Sequence, residues 1–277
     1  MCEFCTQHGE GKVWYLNAKN YSTDLLAEAT RKNFIEHFYD MAVRKGNRDV
    51  SMLEKLLIGR FELPGKIRNG ITEKQKKMHF GQVLPIEDVE KIFSMANSIT
   101  RIACGCAWAK DKKESRVCFG VSFGPPDWYD GIDIEYFGDP TNSMMDKVTL
   151  EDALKSISDT DKRGMVHSVW IFETPFIGAI CNCDKQYCLA MRMTVGLKAP
   201  VMFRSEYVAE LHPDLCNGCM ACTDECQFSA ISYQEESKSC VIDKTKCYGC
   251  GVCRAQCQYE AIKLTSRKND TVASLIW

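Results

Sequence analysis

The sequence predicts two structured domains of different class. Residues 1–205 are expected to form an α+β or α/β domain, in which helices flank a short mixed sheet. Residues 206–266 are expected to form a smaller cysteine-rich domain, followed by a tail at 267–277. Two observations support this division. Helical periodicity alternates with short apolar runs over the first 200 residues, whereas eight of the seventeen cysteines recur at a regular spacing beyond residue 215.

Apolar residues three and four positions apart predict the helices, and capping residues predict where they begin. Pro85 is expected to open one helix and Thr149 to cap another. The basic segment from Pro64 to Lys77 is expected to be a solvated connection between elements. The predicted helices cover 22–45, 47–58, a segment following Pro85, 149–160 and a short stretch from Cys188 to Thr194.

Short runs rich in β-branched and aromatic residues predict the strands. Residues 165–172 are almost continuously apolar, which suits a strand buried on both faces. Residues 127–146 mix aromatic and acidic side chains and fit neither pattern. The other predicted strands are 99–106, 117–123 and 176–180.

Eight cysteines near the C-terminus repeat one spacing twice. A [4Fe–4S] cube is held by four thiolates, and three thiols at every third position can bind one cube. The fourth thiol lies four positions further on, points away, and so reaches the other cube. Structural zinc is the alternative, although zinc sites rarely show three evenly spaced thiols. The two sets are Cys216, Cys219, Cys222, Cys226 and Cys247, Cys250, Cys253, Cys257.

This segment, residues 207–265, resembles a bacterial-type ferredoxin domain with two [4Fe–4S] clusters. The resemblance implies a small (βαβ)2 fold in which Cys216, Cys219, Cys222 and Cys257 hold one cluster and Cys247, Cys250, Cys253 and Cys226 hold the other. The ferredoxin pattern has proline after each fourth cysteine, whereas this chain has Gln227 and Gln258. In outline the whole chain resembles ferredoxin-fused subunits of anaerobic redox complexes.

Further cysteines in the first domain form a second constellation. Two C-x-C pairs are predicted at strand ends, and neighbouring strands would bring them together. Three interpretations remain open: a third cube, with a fourth if the N-terminal pair joins; a non-cubane or catalytic metal site; or buried structural thiols. The candidate ligands are Cys104, Cys106, Cys118, Cys181, Cys183, Cys188, Cys2 and Cys5. Cys240 is expected to be a packed thiol, and His167 a hydrogen-bonded core residue.

Composition and missing motifs limit the function further. A formal net charge of −2 gives no basis for nucleic-acid binding. No apolar run is long enough to span a bilayer and the N-terminus has no secretory pattern, so a cytoplasmic protein is expected. The glycine-rich loops that bind NAD, FAD or ATP phosphates do not occur.

These observations predict an electron-transfer protein or subunit that passes low-potential electrons between redox partner proteins. Exposed cubes tolerate oxygen poorly, which favours an anaerobic host. A reductase with a catalytic metal or iron–sulfur site in the first domain is one alternative, and its basic loop, Lys110 to Arg116, would steer an anionic substrate. A redox sensor is the other. Whether the chain is itself an enzyme stays open.

Overall fold

The computed structural model describes residues 13–17, 37, 39–57, 63–78, 80–124, 145–171 and 177–276. The helices in these ranges are α1 (Lys45–Leu56), α2 (Gly65–Met78), α3 (Ile86–Met95), α4 (Gly105–Asp111), α5 (Leu150–Lys162), α6 (Leu189–Met191), α7 (Ala221–Glu225) and α8 (Val252–Ala255). The strands are β1 (Gly81–Leu84), β2 (Ser98–Ile102), β3 (Cys118–Ser122), β4 (Met145–Lys147), β5 (Val166–Ile171), β6 (Ile177–Cys183), β7 (Met202–Phe203), β8 (Tyr207–Leu211), β9 (Ile231–Gln234), β10 (Ser239–Ile242) and β11 (Ile262–Ser266). No helix of this part of the chain has the length and apolar character needed to cross a bilayer.

The first domain is built on a seven-stranded sheet with the order β4-β2-β3-β6-β5-β1-β7. Its neighbouring strands are antiparallel, except that β1 and β7 are parallel. The predicted mixed sheet with flanking helices is therefore confirmed. Strand β5 is buried along its whole length, as its continuous apolar sequence predicts.

The two faces of the sheet are covered by different partners. Helices α3 and α5 pack on one face, where Phe93 and Ile157 join Phe119 of β3 in the main core. On the other face, Trp170 of β5 packs in a core that also contains Tyr248 of the C-terminal lobe. Burial of apolar area at this second face holds the two domains together.

The sequence patterns predict some helix starts correctly, but they predict a connection where the structure has a helix. Pro85 precedes α3, and the Thr149 hydroxyl accepts a 3.1 Å hydrogen bond from the Asp152 amide at the start of α5. The expected connection at Pro64 to Lys77 is instead helical, because α2 occupies 65–78. Its Ile71 packs against Leu197, a tertiary contact that local composition does not reveal. The predicted helix at 22–45 lies mostly outside the described residues.

The C-terminal lobe, defined here as residues 205–276, repeats a strand–helix–strand unit. Strand β8 pairs with β11 and β9 pairs with β10, both antiparallel. Each two-stranded sheet therefore contains one strand from the first half of the lobe and one from the second half. Helices α7 and α8 occupy equivalent positions after the two cysteine-rich loops. Residues beyond β11 also pack into this lobe, because Arg267 and Ala273 are fully buried.

Candidate metal centres

The first cysteine-rich loop of the C-terminal lobe faces a small pocket. Five thiols line it together with mostly apolar side chains: that of Cys240 and those of four candidate ligands, Cys216, Cys219, Cys222 and Cys257. Cys257 comes from the second half of the lobe, some thirty residues beyond the loop. We call these four residues the first quartet. Four thiols around one apolar space are a donor set that fits a [4Fe–4S] cluster.

Left-handed backbone at two positions shapes this loop. Gly218 has φ +73° and Met220 has φ +65°. A side chain at Gly218 would collide with the β9–β10 hairpin, since a Cβ atom there would lie 2.6 Å from the Lys238 carbonyl oxygen. Burial raises the pKa of Cys222 to about 12. Cys240, expected to be a packed thiol, is buried in the wall of the same pocket.

The second cysteine-rich loop is more deeply enclosed. We call Cys247, Cys250, Cys253 and Cys226 the second quartet. Burial, together with negative charge at Cys247 and Cys226, raises the pKa of Cys250 to about 12. Cys226 of the first loop packs in the same core as Cys250 of the second loop.

Backbone amides donate to the sulfur atoms of the second quartet. The amides of Ala209 and Gly249 lie 3.5 and 3.4 Å from Cys247 Sγ. The Ala230 amide lies 3.3 Å from Cys226 Sγ. Hydrogen bonds of this type stabilise negative charge on sulfur and tune the potential of an iron–sulfur site.

A buried arginine that sequence reasoning missed supports the second loop. Arg267 donates to the carbonyl oxygens of Cys247, Ser205 and Tyr207 at 2.8, 2.7 and 3.0 Å. Burial lowers its pKa to about 10, so the guanidinium group remains protonated at neutral pH. Arg204 also donates to the Cys247 carbonyl, at 3.0 Å, and stacks over Tyr248 at 4.3 Å. The sequence shows Arg267 only as part of an apparent tail.

The second constellation gathers at one end of the large sheet. Strand β3 begins with Cys118, and its two neighbours, β2 and β6, end beside it. Cys104 precedes α4 and Cys188 precedes α6. Cys181 and Cys183 share one face of β6, as a C-x-C pair on a strand should. The other pair differs from the prediction, because β2 ends at Ile102 and Cys106 lies in α4.

Six thiols of this constellation lie side by side. Cys104, Cys106, Cys118 and Cys181 pack in one buried cluster, and Cys181, Cys183 and Cys188 pack in the adjoining one. Each thiol shifts the pKa of two others, and these couplings connect the six in a closed order. We call this set the six-thiol ring. The order around it is Cys104, Cys106, Cys188, Cys183, Cys181 and Cys118.

The ring concentrates negative charge at one point. Hydrogen bonds from Cys106 and Cys118 lower the pKa of Cys104 well below its usual range. Donation to a neighbouring thiol and burial raise the pKa values of Cys106, Cys118, Cys181 and Cys183 well above theirs. For Cys188 the bond from Cys106 lowers the pKa, but the bond to Cys183 and burial outweigh it.

His167 lies behind the ring rather than in it. Its Nδ1 atom is 2.5 Å from Asn182 Oδ1, and its Nε2 atom is 3.3 Å from Asp161 Oδ1. Asn182 in turn donates to the Val117 carbonyl and so fixes β6 against the start of β3. His167 is therefore the hydrogen-bonded core histidine that was expected. Cys2 and Cys5 lie outside the described residues.

None of the three cysteine centres has the geometry of a mononuclear metal site. Across residues 13–276, omitting the undescribed gaps, no three His, Cys, Asp or Glu side chains are placed to hold one metal ion. A cube makes no such demand, because each of its four thiolates binds a different iron atom.

Comparison with known proteins bears on the first loop. A family model for a 4Fe-4S binding domain matches residues 209–232. The chain has a ferredoxin-type iron–sulfur domain near its C-terminus. That match includes Cys216, Cys219, Cys222 and Cys226, and it implies at least one [4Fe–4S] cluster and an iron–sulfur electron-transfer role in general. No curated protein and no solved structure matches the chain.

Gln227 is the second residue whose importance sequence reasoning missed. Its side-chain amide donates to the Gly164 carbonyl at 2.6 Å and to the Cys183 carbonyl at 3.4 Å. Its side-chain oxygen accepts a 2.8 Å bond from the Lys185 amide. One indication of this role is present in the sequence, since Gln227 occupies the position where the ferredoxin pattern has proline, a residue that has no such side-chain groups.

Proposed function

We propose that this chain is an electron-transfer protein or subunit that passes low-potential electrons between redox partner proteins in anaerobic metabolism. Its C-terminal lobe would carry two [4Fe–4S] clusters, one at each quartet. The observation that supports this most directly is that Cys257 lines the pocket of the first loop, while Cys226 packs in the same core as Cys250 of the second loop. When bound, each cluster supplies one-electron redox chemistry.

The interleaved ligands place the two sites close together along the backbone. Cys222 lies in α7 and Cys226 directly follows it, and the two are assigned to different quartets. In the same way Cys253 lies in α8 and Cys257 lies two residues beyond its end. Two short helices therefore connect the sites directly. Such proximity suits a protein whose role is to relay electrons rather than to bind a substrate at one metal.

The surroundings of the two quartets suit different tasks. The second quartet lies against Tyr248, Phe228 and buried Arg267, away from solvent. The first quartet lies near the surface, since Cys219 is exposed and Leu215, Met220 and Tyr259 are about half exposed. We therefore assign the first quartet to electron exchange with a partner and the second to exchange within the protein.

Charge at the surface indicates the type of partner. Residues 207–265 carry five Lys or Arg and eight Asp or Glu, a formal charge of −3. The exposed Glu235 and Glu236 lie at the turn of the β9–β10 hairpin, which packs against the first loop at Gly218. A basic redox protein would be steered toward this face by long-range attraction.

The experiment that tests the proposal needs no partner. Protein purified without oxygen should contain at least about eight iron atoms and eight acid-labile sulfides per chain, and reduction should produce the EPR spectrum of interacting [4Fe–4S]⁺ centres. Reduced protein should then deliver electrons to a basic haem protein without added mediator. Zinc in place of iron, or an EPR-silent reduced protein, would contradict the proposal.

A further inference from the structure

We propose that the six-thiol ring binds one polynuclear iron–sulfur cluster through all six thiolates, in addition to the two clusters of the C-terminal lobe. The six ligands would be Cys104, Cys106, Cys188, Cys183, Cys181 and Cys118. No family match extends to this part of the chain, since the matched region begins at residue 209. The proposal rests on the arrangement of these side chains alone.

The convergence of these thiols is unlike that of ordinary buried cysteines. A free buried cysteine usually packs among apolar groups as a small hydrophobe. Here three strand ends and two helix starts, separated by up to 84 positions in sequence, direct six sulfur atoms at one another. The ring excludes most solvent, because Cys104, Cys118, Cys183 and Cys188 are each at most 9% exposed. Six soft donors facing one enclosed space form a site for soft metal ions.

The structure favours a cluster over a single ion. No three His, Cys, Asp or Glu side chains of the described residues are placed to hold one metal ion.

The number of ligands favours a cluster larger than one cube. A single [4Fe–4S] cube uses four thiolates and would leave two members of a closed ring without a role. The six thiols are continuous, because Cys181 packs both with Cys104, Cys106 and Cys118 and with Cys183 and Cys188. We therefore expect more than four iron atoms, shared by all six thiolates.

Iron is favoured over zinc by what lies next to the ring. Cys183 and Cys188 pack in the same core as Cys226 and Cys250 of the second quartet. Gln227, adjacent to Cys226, bonds to the Cys183 carbonyl and to the Lys185 amide. A redox-active occupant at this position would exchange electrons with the second quartet. That exchange depends on the proposed function, whereas metal binding by the ring does not.

The test is metal analysis of the full chain purified without oxygen, measured as iron, zinc and acid-labile sulfide per chain. The wild-type protein should contain clearly more than twelve irons, since two cubes account for about eight and a third cube would bring about twelve. This measurement requires no variant and so does not depend on whether a substituted ring folds.

Single serine substitutions then identify the ligands. Each of the six ring variants, for example Cys183→Ser, should lose or alter the same additional component in Mössbauer and EPR spectra and retain about eight irons. Cys219→Ser, which removes a thiol of the first quartet, is the matched control. It should instead lose about four irons and leave the additional component intact.

Three results would overturn the proposal. The first is a wild-type content of about eight irons with no other metal. The second is stoichiometric zinc that remains bound in the Cys219→Ser variant. The third is that serine variants at two of the ring positions keep the additional component unchanged. The last result would indicate an ordinary four-ligand cube. Failure of the proposed function is distinguishable, because it would appear as loss of the eight lobe irons or of their EPR spectrum while the ring component remained.

Discussion

The side-chain amide of Gln227 donates a 2.6 Å hydrogen bond to the backbone carbonyl of Gly164. This bond joins the C-terminal lobe to the turn that follows α5. Gly164 itself has φ +73°, and a side chain there would collide with Glu225 of α7. The C-terminal lobe therefore contacts the first domain through a backbone carbonyl group, immediately after Cys226 and two residues before β5 begins.

Replacement of Gln227 by alanine should weaken the contact between the lobes. The change removes one acceptor and one donor whose three partners are backbone groups of Gly164, Cys183 and Lys185. We expect a loss of about 2 kcal/mol in the free energy of unfolding, since a hydrogen bond contributes about 1 kcal/mol net. Anaerobic urea denaturation measures it.

Gln234→Ala is the matched control for that variant. Gln234 is an exposed glutamine at the end of β9, so its replacement should change stability by less than about 0.5 kcal/mol. Equal stability of the Gln227 and Gln234 variants would show that the Gln227 contacts do not hold the lobes together.

Replacement of Arg267 by methionine should lower the reduction potential of the second-quartet cluster. A buried positive charge beside the Cys247 carbonyl favours the more negative, reduced state, and its removal withdraws that stabilisation. The expected shift is tens of millivolts, equivalent to about 1 kcal/mol at an effective dielectric constant of about 20. Redox titration followed by EPR resolves the cluster of the first quartet from that of the second quartet.

Arg267→Lys keeps the charge and tests whether the charge or the hydrogen-bond geometry sets the potential. It should retain most of the wild-type potential while losing stability, because lysine cannot reproduce the forked bonds to Ser205, Tyr207 and Cys247. If both variants shift the potential equally, the electrostatic explanation is wrong.

The interleaving of ligands can be tested by pairing cysteine variants. Cys226→Ser and Cys250→Ser should each lose or convert one cluster, and the double variant should lose no more iron than either alone, because both residues serve the second quartet. Cys226→Ser combined with Cys219→Ser should affect both clusters and lose about eight irons. Iron content and EPR provide the readout.

The opposite pattern would assign each loop its own cluster. In that case Cys226→Ser and Cys219→Ser together would lose only about four irons, and Cys226→Ser with Cys250→Ser would lose about eight. That result would reject the interleaved quartets without rejecting the presence of iron–sulfur clusters.

Charge reversal at the β9–β10 hairpin should slow electron delivery to a basic partner. Glu235→Lys changes the charge beside the first loop by +2, so the bimolecular rate toward a basic haem protein should fall several-fold at low ionic strength. The difference should shrink as salt is added, because exposed charges are screened beyond about 10 Å at 0.1 M. Stopped-flow absorbance measures the rate.

Glu73→Lys makes the same charge change on an exposed position of α2. It should leave the rate near the wild-type value if docking occurs at the hairpin face. Equal slowing by both variants would mean that overall charge, rather than this face, governs the encounter.

Local sequence determined much of this protein, because the relevant interactions are short in range. Thiols at every third residue fold around glycine turns such as Gly218, so the spacing alone indicates cluster ligands. Thr149 caps α5 through a bond to Asp152, three residues away. The continuous apolar run of β5 requires burial on both faces.

The tertiary structure decided those features that depend on contacts between residues far apart in the chain. The order of strands places β3 between β2 and β6, and this order alone closes the six thiols into a ring. In the sequence Arg267 is one residue of a polar tail, whereas in the fold it is surrounded by carbonyl groups of residues between 205 and 247. Gln227 finds its acceptor at Gly164, sixty-three positions earlier. Such contacts follow from how the sheet and the lobe pack, and no local pattern of residues encodes them.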